Sequence, residues 1–227
     1  LIEIRNRVGY VSENRYVYDW MTVDESLWFT SAFHDTWDDD KAAALIDLFE
    51  LPGDKKIREL SQGNRARLCL TLALSYNPEL IILDEPTSGL DPIIRRDFLD
   101  QIIAELCEEG KTVIFSSHIV DEVERVADHI AIVDRGQLLL NGEMDHIKSS
   151  ICRVRYPVNG HIPDLSGLPN VLRIKTLPDE HIVTIKDFDQ RTASELEAHG
   201  VINPQISPMT LEDIFVEIVQ TRAEEAS

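Results

Sequence analysis

Short apolar runs and stripes of helical period take turns along the first part of this chain. The run Leu80-Ile81-Ile82-Leu83 predicts a strand buried on both faces of a parallel sheet. Val8–Val11 and Val113–Phe115 read as further strands. Between them lie helical patterns. Thr22 with Glu25 three positions on forms a capping box and predicts a helix to about Phe33. Asp38, Asp39 and Asp40 start a second helix with Ala42, Leu45, Ile46 and Phe49 on one face, ended by Leu51-Pro52-Gly53. Ser61 caps a helix from Gln62 to about Ser75, and Ile93 to Cys107 is a helix that Gly110 ends. Ile130–Val133 and Gln137–Leu140 read as strands joined at Asp134-Arg135-Gly136, and Met144–Ser150 closes this part. Leu1–Arg7 is short and mixed. From about Ile151 the texture changes to strand-like pieces (Cys152–Tyr156, Val171–Thr176, His181–Ile185, Gln205–Pro208) with a helix at Thr192–His199 and a last helix from Thr210. The pattern predicts an α/β domain over 1–150, a mostly helical part of it at about 15–77, and a small α+β module over 151–227 whose end, from 222, frays.

Chemistry gathers where the apolar strands stop. Asp84 and Glu85 follow the strand Leu80–Leu83 directly, and Pro86 and Gly89 then turn the chain away. Open α/β sheets bind ligands outside the carboxyl ends of their strands. A carboxylate pair there is solvated, paired or on a metal, so Asp84 is a candidate for holding Mg²⁺ and Glu85 for polarising an attacking water. An Asp-Glu turn cap after a core strand accounts for the same two residues. His118 leaves the strand Val113–Phe115 at the corresponding end. Ser61 and Gly63 open a helix whose free N–H groups and dipole suit a phosphate; a plain capped amphipathic helix is the other reading of that stretch.

Taken together, Leu60-Ser61-Gln62-Gly63-Asn64-Arg65, Leu80–Asp91 and Ser116-Ser117-His118 resemble the signature, Walker B strand, D-loop and switch histidine of the ATPase subunit of an ABC transporter, in that order. The resemblance covers roughly residues 8–148 and lies nearest a drug-resistance-like exporter branch. It implies a P-loop NTPase-type core with a helical subdomain, a second ATPase subunit (identical or not) as head-to-tail partner, and integral membrane permease subunits. It implies ATP and Mg²⁺ as ligands. Glu85 and His118 take catalytic roles; Ser61, Gln62, Gly63, Asn64 and Asp91 meet nucleotide or relay between two sites; Asp84 and Glu13 face the metal. Glu13 stands where the family usually carries the Gln of the Q-loop, which keeps an oxygen ligand and adds a charge. The signature departs from Leu-Ser-Gly-Gly-Gln at Gln62 and Asn64 and keeps Ser61 and Gly63. Tyr16, Tyr18, Trp20 and Trp28 are then either permease contacts or core aromatics.

Composition narrows the partners. A net charge of −19 argues against a nucleic-acid partner and against direct adhesion to anionic lipid, because both need clustered Lys and Arg. An association with the cytoplasmic face of the membrane is therefore expected through the permease. Cys69, Cys107 and Cys152 have no metal spacing and read as buried free thiols. The P-loop pattern G-x-x-x-x-G-K-[ST] does not occur; at Gly110-Lys111-Thr112 the position of its first Gly holds Glu105. The expectation is a piece of a longer ATPase whose P-loop precedes Leu1. The alternatives are a truncated or decayed paralogue that only binds a partner, and a soluble ABC protein outside transport.

Overall fold

A computed structural model describes residues 2–108, 110–158, 165, 168 and 170–225, with the side chains of residues 2, 3, 107 (Cys107), 108 and 223–225 outside that description. The backbone divides into two units, Leu1–Val126 and Ala127–Ser227.

The first unit begins with helix α1 (Ile2–Arg7), where the sequence pattern is mixed, and then strand β1 (Val8–Val11). Helices α2 (Val23–Ser31), α3 (Asp39–Leu48) and α4 (Gln62–Leu74) follow, then β2 (Leu80–Asp84), α5 (Pro92–Glu108), β3 (Thr112–Ser116) and α6 (Val120–Val126). The caps read from sequence are made. Thr22 Oγ1 accepts from the Glu25 N–H (3.1 Å) while Glu25 Oε2 accepts from the Thr22 N–H (2.8 Å). Asp38 and Ser61 accept from the N–H groups of Lys41 and Asn64.

The three strands form one parallel sheet in the order β1-β2-β3, in register Tyr10↔Ile82↔Ile114. One face is covered: Val11, Ile81 and Leu83 pack with Leu70, Ala73, Leu74, Phe98, Ile102 and Leu106 from α4 and α5. Gly9 lets α4 approach, since a Cβ there would stand 2.9 Å from the Ala73 carbonyl oxygen. The opposite row, Tyr10, Ile82 and Ile114, is half-buried or exposed among the described residues. Burial of Leu80–Leu83 on both faces is thus corrected: Ile81 and Leu83 enter the core, and Leu80 and Ile82, on the other side, are only half-buried.

In the second unit, β4 (His129–Asp134) and β5 (Gln137–Glu143) form an antiparallel hairpin. Arg135 and Gly136 at its turn both have positive φ, the geometry that matches strand twist. After α7 (Met144–Ser150) come β6 (Cys152–Pro157), β7 (Val171–Thr176), β8 (Glu180–Ile185), α8 (Gln190–Ala198), β9 (Gln205–Pro208) and α9 (Leu211–Glu225). The four strands make an antiparallel sheet ordered β7-β8-β6-β9 around Val154, Val183, Ile185 and Leu196. The last helix continues to Glu225, past the expected point of fraying at 222; residues 226 and 227 lie outside the description.

Candidate functional site

Register places the site. Tyr10, Asp84 and Ser116 lie on the open side of the sheet, toward the carboxyl ends of three adjacent parallel strands. The Ser116 hydroxyl donates to Asp84 Oδ1 (2.8 Å), and the Tyr10 hydroxyl reaches Asp84 Oδ2 (3.3 Å). Partial desolvation, then the neighbouring Asp84 charge, raise the Tyr10 phenol above its ordinary value.

Glu85 leaves the strand with φ +46, a left-handed conformation uncommon for a residue with a side chain. Its N–H donates to the Ser116 hydroxyl oxygen (2.9 Å) and carbonyl oxygen (3.2 Å), which holds that turn against β3. The Glu85 carboxylate, 20% exposed, meets His118 Nδ1 at 2.8 Å, and the His118 side chain is 71% exposed. The two predicted catalytic residues therefore touch, one anchored and one open to solvent. A carboxylate so placed can accept a proton from water while the imidazole binds an anion beside it.

Glu13 follows β1, next to β2, and accepts weakly from the Ser88 hydroxyl (3.4 Å). Asp84, at the end of β2, and Glu13, in the turn after β1, are hard oxygen donors, a donor type that fits Mg²⁺. Among the described residues no three His, Cys, Asp or Glu side chains converge.

The helix-start candidates are placed differently. Ser61, Gln62 and Asn64 are exposed or half-buried at the start of α4. Gly63 is buried, and a Cβ on it would stand 3.0 Å from Ile94 Cγ2, so its missing side chain serves the packing of α4 on α5. Its backbone N–H is what it has to offer a phosphate. Asp91 Oδ1 accepts from the N–H groups of Ile93 (3.2 Å) and Ile94 (3.1 Å), which makes it the N-cap of α5.

Several residues here were not read from the sequence. Glu122, only 5% exposed, accepts from the hydroxyls of Thr87 and Ser117 (2.8 Å for Ser117) and pairs with Arg95 at 3.3 Å. Arg15, 6% exposed, reaches the carbonyls of Pro86 and Ser88. Glu122 lies in the first turn of α6, four positions past His118 in sequence. Arg15 carries no sequence signal: flanked by Asn14 and Tyr16, it reads as a solvated loop charge.

Comparison with known proteins bears on the family and the fold. The family model described as ABC transporter matches residues 2–88. An uncharacterised ABC transporter ATP-binding protein of Nostoc is 33% identical over 228 residues, covering 96% of this chain and 67% of its own length. The Nod factor export ATP-binding protein I of Neorhizobium galegae is 32% identical over 173 residues, covering 74% of this chain and 49% of that protein. Among solved structures, an ATP-binding subunit of an ABC transporter superposes with a TM-score of 0.58 at 24% identity, over 65% of this chain and 63% of that one; it supports the fold. The parallel α/β sheet with its Asp-Glu-bearing strand and the extent of the Nostoc match lead to one placement: the chain belongs to the ATP-binding proteins of ABC transporters.

Proposed function

We propose that the intact protein hydrolyses ATP between two head-to-tail subunits and drives export through a separate membrane permease, at the cytoplasmic face of the membrane. The observation that carries this reading is the Glu85–His118 contact of 2.8 Å beside Asp84, at the carboxyl end of the parallel sheet. Hydrolysis forms a bond from a water oxygen to the γ-phosphorus as the bond to the bridging oxygen of ADP breaks. Glu85 receives the proton that the water gives up. His118, exposed at the rim, binds a γ-phosphate oxygen. Asp84 and Glu13 would hold Mg²⁺, which supplies charge neutralisation on the phosphates. Ser61, Gln62, Gly63 and Asn64 would present the α4 N-terminus to nucleotide on the opposite subunit, and Asp91 would lie where the two sites communicate.

Export is favoured by the similarity to the Neorhizobium relative, a Nod factor export ATP-binding protein. The permease contact is supported by the surface of the helical part. Tyr16, Tyr18, Trp20 and Trp28 are exposed, so the core reading of these aromatics does not apply, and Tyr18 touches Trp20 and Phe29. Exposed clusters of this kind mark interaction sites. No described helix is long and apolar enough to cross a membrane, in keeping with a separate permease. The 151–227 segment, which holds the four-stranded antiparallel sheet, is then an accessory module, although the backbone itself divides earlier, after Val126.

Glu85→Gln in the intact protein tests the reading. ATP binding should persist and hydrolysis should fall by about 10²–10⁴-fold, because the amide accepts no proton. A steady-state rate within a few-fold of wild type would remove Glu85 from the catalytic role, whereas an intact wild type without ATPase activity would favour a protein that only binds a partner.

A further inference from the structure

Arg15 is a buried cation whose acceptors include no carboxylate. Its Nη2 donates to the carbonyls of Pro86 (2.9 Å) and Ser88 (2.7 Å), and its Nη1 reaches Gln62 Oε1 (3.4 Å). Its Nε is buried without a hydrogen-bond partner. The residue also adopts φ +47, in a turn closed by its N–H on the Ser12 carbonyl (3.1 Å). A desolvated guanidinium and a left-handed non-glycine backbone are each unfavourable, and they persist where the surroundings over-determine them.

The three acceptors belong to two separate parts of the site. Gln62 is the first residue of α4. Pro86 and Ser88 flank Thr87, whose hydroxyl is taken by the buried Glu122. The segment 86–88 is therefore gripped from one side by a cation that follows β1 and from the other by an anion on α6. Glu85, at φ +46, directly precedes the gripped segment, and its carbonyl accepts from the Ser88 N–H (3.0 Å). Arg15 itself stands two positions after Glu13.

We propose that Arg15 is a positioning residue for hydrolysis, tying the turn that carries Glu13 to the turn that carries Glu85 and, through Gln62, to the start of α4. A displacement of the Glu13 turn is then passed to Glu85 through a rigid two-carbonyl fork. The guanidinium contacts peptide oxygens, and its role is to hold Glu85 at the distance where it can take a proton. This inference rests on Glu85 being the catalytic carboxylate.

The test uses the intact protein with Arg15→Ala, Arg15→Lys and, in parallel, Glu85→Gln, each checked for folding by circular dichroism and Tm. In Arg15→Ala kcat for ATP should fall by about 10²-fold, the cost of a roughly 1 Å misplacement. KM should stay within about twofold, since no ground-state contact to nucleotide is lost. Arg15→Lys, whose single ammonium can bridge the two carbonyls without also reaching Gln62, should recover part of kcat. A folded Arg15→Ala with wild-type kcat, beside an inactive Glu85→Gln, would overturn this inference and leave the catalytic reading standing. A raised KM with unchanged kcat would overturn it by assigning Arg15 to nucleotide binding. Loss of the fold in both Arg15 variants would assign the residue to folding and overturn it as well. An active Glu85→Gln would overturn the catalytic reading, and with it this inference.

Discussion

Cys69 lies on α4 with its thiol pushed up to about 11 by burial, despite the opposing pull of Arg15 and Arg65. The folded form favours the neutral thiol. Its contribution to stability is therefore fully present below the unfolded value of 9.0 and is lost as pH rises through about 11. Relative to Cys69→Ala, the wild type should lose stability over that window by at most about 1.4 kcal/mol per pH unit. Urea denaturation of both proteins across the window would measure it, and a difference that does not change with pH would refute the assignment. At the same scale, legibility followed proximity in sequence. Asp84, Glu85 and His118 could be picked out because each leaves an apolar strand. Arg15 binds backbone oxygens 71 and 73 positions away, which no local pattern encodes. The left-handed backbones of Arg15 and Glu85 were equally hidden, since neither residue is Gly or Asn, the types that announce such a conformation.

Whole elements were more legible than the environments they occupy. Helix starts were readable because capping is local: the Thr22–Glu25 box, Asp38 and Ser61 all make the expected bonds. Removing the box should cost about 1 kcal/mol in Thr22→Ala, by loss of the side-chain acceptor and of the geometry that lets Glu25 return its bond. A shift in urea midpoint with an unchanged slope would register it; an unchanged midpoint would mean that α2 is held by packing alone. The hairpin turn at Arg135-Gly136 was legible for the same reason. Strand burial was not. Leu80–Leu83 is continuously apolar, yet only Ile81 and Leu83 enter the core of the described unit. An unbroken aliphatic run records what a strand tolerates on both faces, whereas the covering layer is set by elements far away in sequence. The mixed composition of Leu1–Arg7 likewise concealed α1, whose Arg7 pairs with Glu79 through two bonds of 2.8 and 2.6 Å.

At the scale of the whole molecule the readings compete most sharply at the start of α4. Ser61 accepts from the Asn64 N–H, which any capped helix would do, and Gly63 is accounted for by its packing on Ile94. Both facts suit a structural role, so the question is whether this helix end also grips nucleotide across a dimer interface. Were it only a cap, Ser61→Arg should cost about 1 kcal/mol of stability and leave ATP chemistry alone. If it faces the γ-phosphate bound by an opposite subunit, the long side chain blocks that contact. Each subunit of the intact protein should then bind ATP with near-normal affinity, because the residues that hold its own nucleotide are untouched. The ATP-driven dimer should fail to form, and hydrolysis should collapse with it. Mixing Ser61→Arg with Glu85→Gln separates the two roles further. One composite site of the mixed dimer carries both lesions and the other carries neither, so part of the activity should return on mixing two inactive proteins. Full ATPase activity and normal ATP-driven dimerisation of Ser61→Arg by itself would reduce the α4 N-terminus to a helix cap. Asp91, which caps α5 within the same unit, would then be the next residue to question.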